Sequence, residues 1–327
     1  MDAGLLVGRL PVPFRAAFEC LWCGRAWQTR GPDDLEGWSQ LCPDCLGKAG
    51  ENGFLRFRLR AAIDERAGER AGTHAAGTPA ASTPAASTPA PLAGDAARLD
   101  PEMVAYYEAR APEYDDWYLR RGRYDRGALD NVAWSSDLDA ATMWLDGLPW
   151  GGRIVELAAG TGWWSPLLAS RGELWAYDAA EAPLDLARER LVAHRLRAHL
   201  HVRDAWAEPD PTVAPADGLF AGFWLSHVER SALPEFLDLA RRWLRPGGLL
   251  AFVDSRSDPA SGAADHPPVT EGRAARIVAD GREFSIPKLF HDPRDLEAAL
   301  RGAGFEAAEV TATGRFFLLG RAVAASG

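Results

Sequence analysis

The second half of the sequence predicts an open α/β fold with a seven-stranded sheet whose last strand is reversed. Short apolar segments alternate with helical segments over residues 151–325, and this alternation is typical of parallel strands joined by crossover helices. The last two apolar segments are separated only by a short Thr-Gly turn. Because no crossover helix fits in that turn, we expect these two strands to pair antiparallel.

The individual elements are predicted from the same apolar and helical segments. The strands are expected at Arg153–Leu157, Leu174–Tyr177, Leu200–Val202, Leu219–Trp224, Leu249–Val253, Ala307–Ala312 and Phe316–Val323. The helices are expected near Trp163–Ser170, Leu184–His194, Pro234–Leu244 and Pro293–Gly302. Asp292, directly before Pro293, is expected to cap the last helix. A proline-rich insert, Asp258–Pro268, follows the fifth strand.

Composition divides the chain into three regions. Residues 1–60 hold all four cysteines, and we expect them to form a small zinc-ribbon-like module. Residues 61–97 are rich in Ala, Thr and Pro and are expected to be a disordered linker, because they cannot bury enough apolar surface to offset the entropy of ordering. Residues 98–327 form the α/β domain, which begins with a helical, aromatic lead-in at residues 98–150.

Charge and hydropathy exclude some classes of partner. The formal net charge is -10, so the whole molecule has no attraction to nucleic acid phosphates, and an RNA substrate would need a local basic patch. No segment approaches the roughly 18 to 20 consecutive apolar residues that cross a bilayer. The N-terminal residues also lack the pattern of a secretion signal. We therefore expect a cytoplasmic protein with no membrane partner.

The four cysteines form two Cys-x-x-Cys pairs, Cys20 with Cys23 and Cys42 with Cys45. In a reducing compartment this pattern indicates a metal site rather than disulfides, and the spacing is typical of four-thiolate zinc. Four thiolates leave no open position for water, so the predicted Zn²⁺ is structural. Unmetallated thiols, an iron–sulfur site and a redox pair are the alternatives.

A glycine-rich turn between Glu156 and Gly162 follows the first predicted strand and opens a helix. Gly160 and Gly162 allow a ligand to approach the backbone closely, and the helix N-terminus offers free N–H groups. A phosphate would suit this geometry, but the dinucleotide pattern needs a third glycine where this chain has Ser165. The Glu156 carboxylate would repel a pyrophosphate, whereas it suits the cationic, amino-bearing end of S-adenosylmethionine.

Two further acids end the next two predicted strands. Asp178 lies about 20 residues past the glycine turn, where a carboxylate can accept both hydroxyls of a ribose. Asp204 can accept the amino group of an adenine, and Ala205 and Trp206 offer backbone N–H groups to the ring. Since the carboxyl ends of parallel strands meet at one edge of a sheet, we expect these acids to share a cleft.

Together these motifs resemble those of class I S-adenosylmethionine-dependent methyltransferases. The resemblance extends over residues 101–325 and includes the strand from Gly218 to His227 and the Leu-Arg-Pro-Gly-Gly segment before the fifth strand. It implies a Rossmann-like seven-stranded sheet with a reversed last strand, and S-adenosylmethionine as cofactor. The residues expected to contact the cofactor are Glu156, Ala158, Gly160, Thr161, Gly162, Asp178, Ala179, Asp204, Ala205, Trp206, Tyr106 and Tyr114.

The two tyrosines in that set come from the helical lead-in. The segment containing Tyr106 and Tyr114 resembles the one that lies over the cofactor in many of these enzymes, so either ring is expected near the sulfonium. The alternative is that both rings pack into the core from an amphipathic helix.

His227, just beyond the fourth predicted strand, is the candidate catalytic residue. Methyl transfer from a sulfonium is an in-line displacement that mainly needs alignment, and a base is needed only if the nucleophile arrives protonated. The unperturbed pKa of histidine, about 6.5, suits that role, and a pocket-wall histidine is the alternative. Weaker candidates for the substrate pocket are Trp224, Tyr124 and Arg123. His266 and His291 are expected in loops or caps.

No motif specifies the methyl acceptor. The Asn-Pro-Pro-Tyr type of motif that suggests exocyclic amines of bases is replaced by Phe223-Trp-Leu-Ser226. We therefore favour transfer to an O or N atom of a small molecule. The alternatives are an RNA- or protein-directed methyltransferase that uses the zinc module as a reader, a non-catalytic cofactor- or zinc-binding interaction protein, and an NAD-linked enzyme.

Overall fold

The computed structural model describes residues 17–19, 25–28 and 100–326. Contacts divide the chain into two units, Met1–Thr88 and Pro89–Gly327. Within the described residues, no helix has the length and apolar character needed to cross a membrane.

In the first unit, strands β1 (Ala17–Glu19) and β2 (Ala26–Gln28) pair antiparallel. The predicted zinc ligands lie outside the described residues, as does the linker at 61–97. In the ranges that the structure describes, no group of three or more His, Cys, Asp or Glu side chains is placed to hold a metal ion. The zinc site therefore stays a prediction.

The second unit is built on a mixed sheet. In chain order its strands are β3 (Arg153–Leu157), β4 (Glu173–Asp178), β5 (His199–Val202), β6 (Ala216–Gly222), β7 (Leu244–Ser255), β8 (Arg273–Ile277), β9 (Glu283–Pro287), β10 (Phe305–Ala312) and β11 (Phe317–Ala324). Seven of these form one sheet in the spatial order β10-β11-β7-β6-β3-β4-β5. Strands β3 to β7 are parallel, whereas β11 runs antiparallel to its neighbours β7 and β10. The predicted seven-stranded sheet with a reversed last strand is confirmed.

The helices of this unit either precede the sheet or connect its strands. They are α1 (Pro101–Arg110), α2 (Tyr114–Leu119), α3 (Ala128–Asp146), α4 (Ser165–Ala169), α5 (Glu181–Ala193), α6 (Leu233–Trp243) and α7 (Pro293–Gly302). The last four correspond to the predicted crossover helices. As expected, the Asp292 side chain caps α7 by accepting the Arg294 N–H at 2.8 Å.

Apolar residues at helical spacing hold α6 against the sheet. Leu233, Phe236, Ala240 and Trp243 recur every three or four residues and are all buried, which places them on one face of the helix. The Trp243 ring lies 5.4 Å from that of Tyr177 in β4. Burial of this face fixes the helix on the sheet and leaves the strand ends free for the site.

The lead-in helices pack beside the reversed end of the sheet. Trp134 of α3 is fully buried, and its ring lies 4.8 Å from that of Phe317 in β11. The buried Asp137 carboxylate accepts the backbone N–H groups of Arg315 and Phe316, each at 2.7 Å. These contacts join the lead-in to the β10–β11 turn.

The segment between the Asp258–Pro268 insert and α7 forms the hairpin β8–β9, which was not among the predicted strands. The two strands read Arg-Ala-Ala-Arg-Ile and Glu-Phe-Ser-Ile-Pro, and neither contains a sustained apolar run, so the local pattern does not indicate strands. Contacts with α1 stabilise it instead: the Phe284 and Tyr106 rings are 5.6 Å apart, and the Ser285 N–H donates to Glu102 at 2.7 Å. The hairpin and α1 together enclose space near the carboxyl ends of β6 and β7.

Candidate active site

The glycine turn after β3 has an unusual backbone. Ala158, Gly160 and Gly162 have positive φ angles of 53°, 56° and 70°, a region that favours glycine. A Cβ atom on Gly162 would lie 2.7 Å from the Cβ of Ala187 in α5, and one on Gly160 would lie 3.5 Å from the Tyr114 ring. The turn is therefore pressed between α5 and the lead-in. Strained backbone of the kind seen at Ala158 is concentrated at functional sites.

Asp178, at the end of β4, joins this turn to the next strand. Its carboxylate accepts the Gly160 N–H at 2.8 Å and the Ala180 N–H at 2.9 Å. Burial raises the pKa of Asp178 to about 6, although the two backbone donors oppose that rise. The side chain thus has a fixed position at the carboxyl edge of the sheet.

Asp204 follows β5 at the same edge, and its carboxylate accepts the Trp206 N–H at 3.1 Å. A cleft lies between the glycine turn, Asp178 and Asp204. The lining residues are Met103, Val104, Tyr107, Tyr114, Ala158, Gly160, Asp178, Ala179, Ala180, Pro183, Asp204, Ala205, Gly222, Phe223, Trp224 and His227.

Glu156 lies beneath the turn rather than in the cleft. Its carboxyl group accepts the Ser165 hydroxyl at 2.6 Å, and the side chain is only 1% exposed. Burial raises the pKa of Glu156 to about 8, and the bond from Ser165 opposes this only in part. At neutral pH this group is therefore largely protonated.

The raised pKa of Glu156 predicts a loss of stability as pH rises. The folded chain holds this proton between the ordinary value of 4.5 and about 8, whereas the unfolded chain releases it. The free energy of unfolding therefore falls as pH rises through that window. Glu156→Gln keeps a carbonyl oxygen that can accept the Ser165 hydroxyl, but its side chain has no proton to release as pH rises.

Scanning calorimetry checks this pH dependence. We expect Glu156→Gln to melt at the wild-type temperature near pH ~5 and several degrees above it near pH ~8.5. Glu189→Gln, at an exposed position on α5, is the control and should follow the wild type throughout. Parallel profiles for wild type and Glu156→Gln would contradict the prediction.

Thr161 ties the glycine turn to the lead-in. Its hydroxyl donates to the Asp115 carboxylate at 2.7 Å, and Arg190 of α5 forms an ion pair with the same carboxylate. Arg190 also donates to the Thr161 carbonyl at 3.0 Å. This network holds α2 over the turn.

His227 occupies a short 3₁₀ turn, Leu225–His227, after β6. Its Nδ1 lies 2.6 Å from the Pro287 carbonyl, and because a carbonyl only accepts, Nδ1 carries the hydrogen. Nε2 then accepts the Tyr107 hydroxyl at 2.8 Å. Burial first, and the charge of Lys288 second, lower the pKa of His227 to about 3, so the imidazole is neutral.

A second cavity adjoins the cleft, between α1 and the β8–β9 hairpin. It is lined by Tyr106, Tyr107, Arg110, Tyr114, Trp117, Tyr124, Phe223, His227, Ser255, Ser261, Gly262, His266, Arg276, Ile286 and Lys288. Four of these residues also line the cleft, namely Tyr107, Tyr114, Phe223 and His227. The two spaces therefore share a wall.

Residues 154–248 match the family model of a methyltransferase domain. The chain carries a class I S-adenosylmethionine-dependent methyltransferase domain. Two similar solved structures are the DhpI–SAH complex, with a TM-score of 0.53 over 69% of this chain and 97% of that one, and the DhpI–SAM–HEP complex, with a TM-score of 0.54 over 68% and 95%. Each is 26% identical in sequence. A comparison with curated proteins finds no match.

A more distant likeness is also found. It is to an S-adenosylmethionine-dependent methyltransferase from Clostridium acetobutylicum, 14% identical over 68% of this chain and 100% of that one, with a TM-score of 0.47.

The predicted cofactor residues separate into two groups in the methyltransferase domain. Those that line the cleft are Ala158, Gly160, Asp178, Ala179, Asp204, Ala205 and Tyr114. Those that do not line it are Glu156, Thr161, Gly162, Trp206 and Tyr106. Trp206 packs on Phe236, with ring centroids 5.3 Å apart. Tyr106 faces the second cavity, because successive residues of α1 point about 100° apart, and Tyr107 lines the cleft in its place.

The weaker sequence candidates also separate. Trp224 lines the cleft, whereas Tyr124 and His266 line the second cavity. His266 lies in a loop, as expected, but it also forms part of the wall of this cavity. Arg123 forms an ion pair with Asp265 at 2.5 Å and lines neither space. His291 is structural, since its Nε2 lies 2.9 Å from the Leu225 carbonyl and the ring is buried.

Three cations line the second cavity that no sequence pattern had indicated, namely Arg110, Arg276 and Lys288. They come from α1, from β8 and from the segment after β9, and no local motif contains them. The sequence contains only a weak sign of this cluster, which is that Lys288 is one of only two lysines in a chain that has 36 Lys and Arg together.

Proposed function

We propose that the methyltransferase domain transfers a methyl group from S-adenosylmethionine to an oxygen or nitrogen atom of a small molecule. The observation that carries this proposal is the wall that the cleft and the second cavity share at Tyr107, Tyr114, Phe223 and His227. A donor in the cleft and an acceptor in the cavity would meet at this junction. Holding both in fixed positions is the main contribution that an in-line transfer needs from a protein.

The chemistry of the cleft fits the cofactor. A carboxylate offers about four lone-pair sites, and the Asp178 side chain uses two on backbone donors, so two remain for ribose hydroxyls. Asp204, fixed by the Trp206 N–H, is proposed to accept the adenine amino group. When bound, the cofactor supplies an activated methyl group and a neutral leaving group. The similar DhpI structures are complexes with SAH and SAM.

His227 is proposed to orient Tyr107 rather than to remove a proton. The lowered pKa of His227, about 3, makes the ring a weak proton acceptor at neutral pH. Its Nε2 lone pair is already engaged by the Tyr107 hydroxyl. The pair fixes a hydroxyl at the junction of cleft and cavity.

An enclosed acceptor space favours a small molecule. The second cavity is roofed by α1 and the β8–β9 hairpin, which are joined by the Tyr106–Phe284 contact and by the bond from Ser285 to Glu102. Aromatic rings line it together with a small number of charged groups, as is typical of small-molecule sites. A polymeric substrate such as RNA would need an open groove.

Binding and transfer measurements test this function. Calorimetry with S-adenosylhomocysteine and with NAD should show binding of the first only. Labelled S-adenosylmethionine incubated with fractionated small molecules and with RNA should label a small-molecule fraction. Label in RNA would favour the polymer-directed alternative, and cofactor binding without transfer to any fraction would favour a non-catalytic role.

We further propose that Cys20, Cys23, Cys42 and Cys45 bind one structural zinc ion, on the basis of their spacing. Metal analysis of the purified full-length chain should find about one zinc per chain, as expected of a four-thiolate site. Cys42→Ser should lower that ratio. Purified wild-type chain without zinc would overturn the assignment.

A further inference from the structure

The second cavity is strongly cationic. Arg110, Arg276 and Lys288 line it, and none of its described lining residues is Asp or Glu. Each cation comes from a different part of the chain, so the fold gathers positive charge here rather than dispersing it. Like charges gathered in a partly buried space destabilise a protein unless an anion compensates them.

Arg110 shows most clearly that this cavity suits an anion. The residue is 8% exposed, its buried Nε has no hydrogen-bond partner, and no described carboxylate forms an ion pair with it. Aromatic rings surround the guanidinium, with Cζ 4.4 Å from the Tyr114 centroid and 5.6 Å from those of Tyr106 and Tyr124. Such cation–π contacts offset only part of the cost of burying an unpaired charge.

Lys288 has only neutral partners. Its Nζ donates to the hydroxyls of Ser226 at 2.8 Å and Ser255 at 3.0 Å. An ammonium has three donors, so one is left. The Asp254 carboxylate attracts this lysine but is bonded to the backbone N–H groups of Ser226 and Ser255. Burial lowers the pKa of Lys288 to about 8, so the group remains mostly charged at neutral pH.

Arg276 completes the set from the β8–β9 hairpin. Its Nη1 donates to the Ala275 carbonyl at 3.1 Å, and within the described chain no carboxylate forms an ion pair with it. Several other arginines of the same domain are paired with carboxylates, as Arg301 is with Glu297 and Arg321 with Glu309. Arg110, Arg276 and Lys288 instead line one cavity, whose described lining contains no carboxylate.

We propose that the second cavity binds an acceptor through an oxyanion, a carboxylate or a phosphate-type group, held by Arg110, Arg276 and Lys288. This inference rests on the proposed methyl-transfer function and names its substrate class. Planar guanidinium groups match two oxygens of such an anion at once. The surrounding tyrosine rings give the rest of the acceptor an apolar and aromatic surface.

Calorimetry on the full-length chain saturated with S-adenosylhomocysteine tests the proposal. The probes are benzoate, its neutral analogue benzamide, and inorganic phosphate, each at constant ionic strength. We expect benzoate or phosphate to bind the wild type, and the better of the two identifies the anion as carboxylate or phosphate. Benzamide should bind at least tenfold more weakly than benzoate. Failure of both anions to bind, or binding of the neutral benzamide as tightly as the better of the two anions, would overturn the proposal.

Two variants and a control assign the binding to these cations. Arg110→Met and Lys288→Met should each weaken anion binding at least tenfold and leave S-adenosylhomocysteine affinity within about twofold. Exposed Arg301→Met should change neither. Cofactor affinity is measured separately. If the wild type does not bind S-adenosylhomocysteine, the result counts against the methyl-transfer function itself. Normal cofactor binding with anion affinity unchanged in both variants would overturn only the anionic acceptor.

Discussion

Replacing Asp178 by asparagine is expected to weaken S-adenosylhomocysteine binding about 10- to 100-fold while the domain stays folded. Asparagine retains one oxygen, but its NH₂ group would face a backbone donor, either the Gly160 or the Ala180 N–H. The charge that attracts the ribose hydroxyls is also lost. A hydrogen bond to a charged group contributes about 1.5–3 kcal/mol, and 1.4 kcal/mol corresponds to about a tenfold change in affinity.

Isothermal calorimetry measures this effect directly. The matched control is Asp295→Asn, an exposed aspartate in α7, which should bind the cofactor product within about twofold of the wild type. A circular dichroism melt verifies that Asp178→Asn is folded. Unchanged affinity in a folded Asp178→Asn protein would show that the carboxylate does not hold the cofactor.

Gly162→Ala is expected to have the largest effect on stability among changes in the glycine turn. The new Cβ would come within 2.7 Å of the Ala187 Cβ, at a φ of 70°. Overpacking costs about 1–3 kcal/mol, and a left-handed conformation adds about 1–2 kcal/mol for a residue with a Cβ. We therefore expect the free energy of unfolding to fall by about 2–5 kcal/mol.

Gly304→Ala separates two contributions to the loss of stability, the steric clash of the new Cβ and the strain of a positive φ. Gly304 has a comparable φ of 80°, but a Cβ there meets no atom within 4 Å. Urea denaturation should show a loss of only about 1 kcal/mol for this control. Equal losses for the two variants would mean that the turn can move away from α5 and that the close approach is not essential.

Local sequence patterns were sufficient to predict the sheet and many of the residues that line the cleft. Apolar runs such as Arg153–Leu157 form strands because few other conformations bury them, and the short Thr-Gly turn permits only an antiparallel last pair. Asp178 and Asp204 end neighbouring parallel strands, so their proximity follows from topology. Their roles toward the cofactor stay predictions, which the asparagine variant tests.

Orientation of individual side chains was less accessible to sequence analysis. Glu156 belongs to the expected motif, yet its carboxyl group turns beneath the glycine turn to Ser165. Tyr106 and Tyr107 differ by one position on α1, and only the packing of that helix against the hairpin determines which ring faces the cleft. Contacts of this kind depend on where a distant segment packs.

By itself, the sequence determined three features: the α/β class, the antiparallel last strand, and the position of the acids at one edge of the sheet. These features follow from periodicity and turn chemistry, which act over a few neighbouring residues. Only the tertiary structure decided the second cavity. Arg110 and Lys288 are far apart along the chain, and the β8–β9 hairpin must fold onto α1 before their charges share one space. Long-range packing of this kind leaves no periodic pattern in either segment.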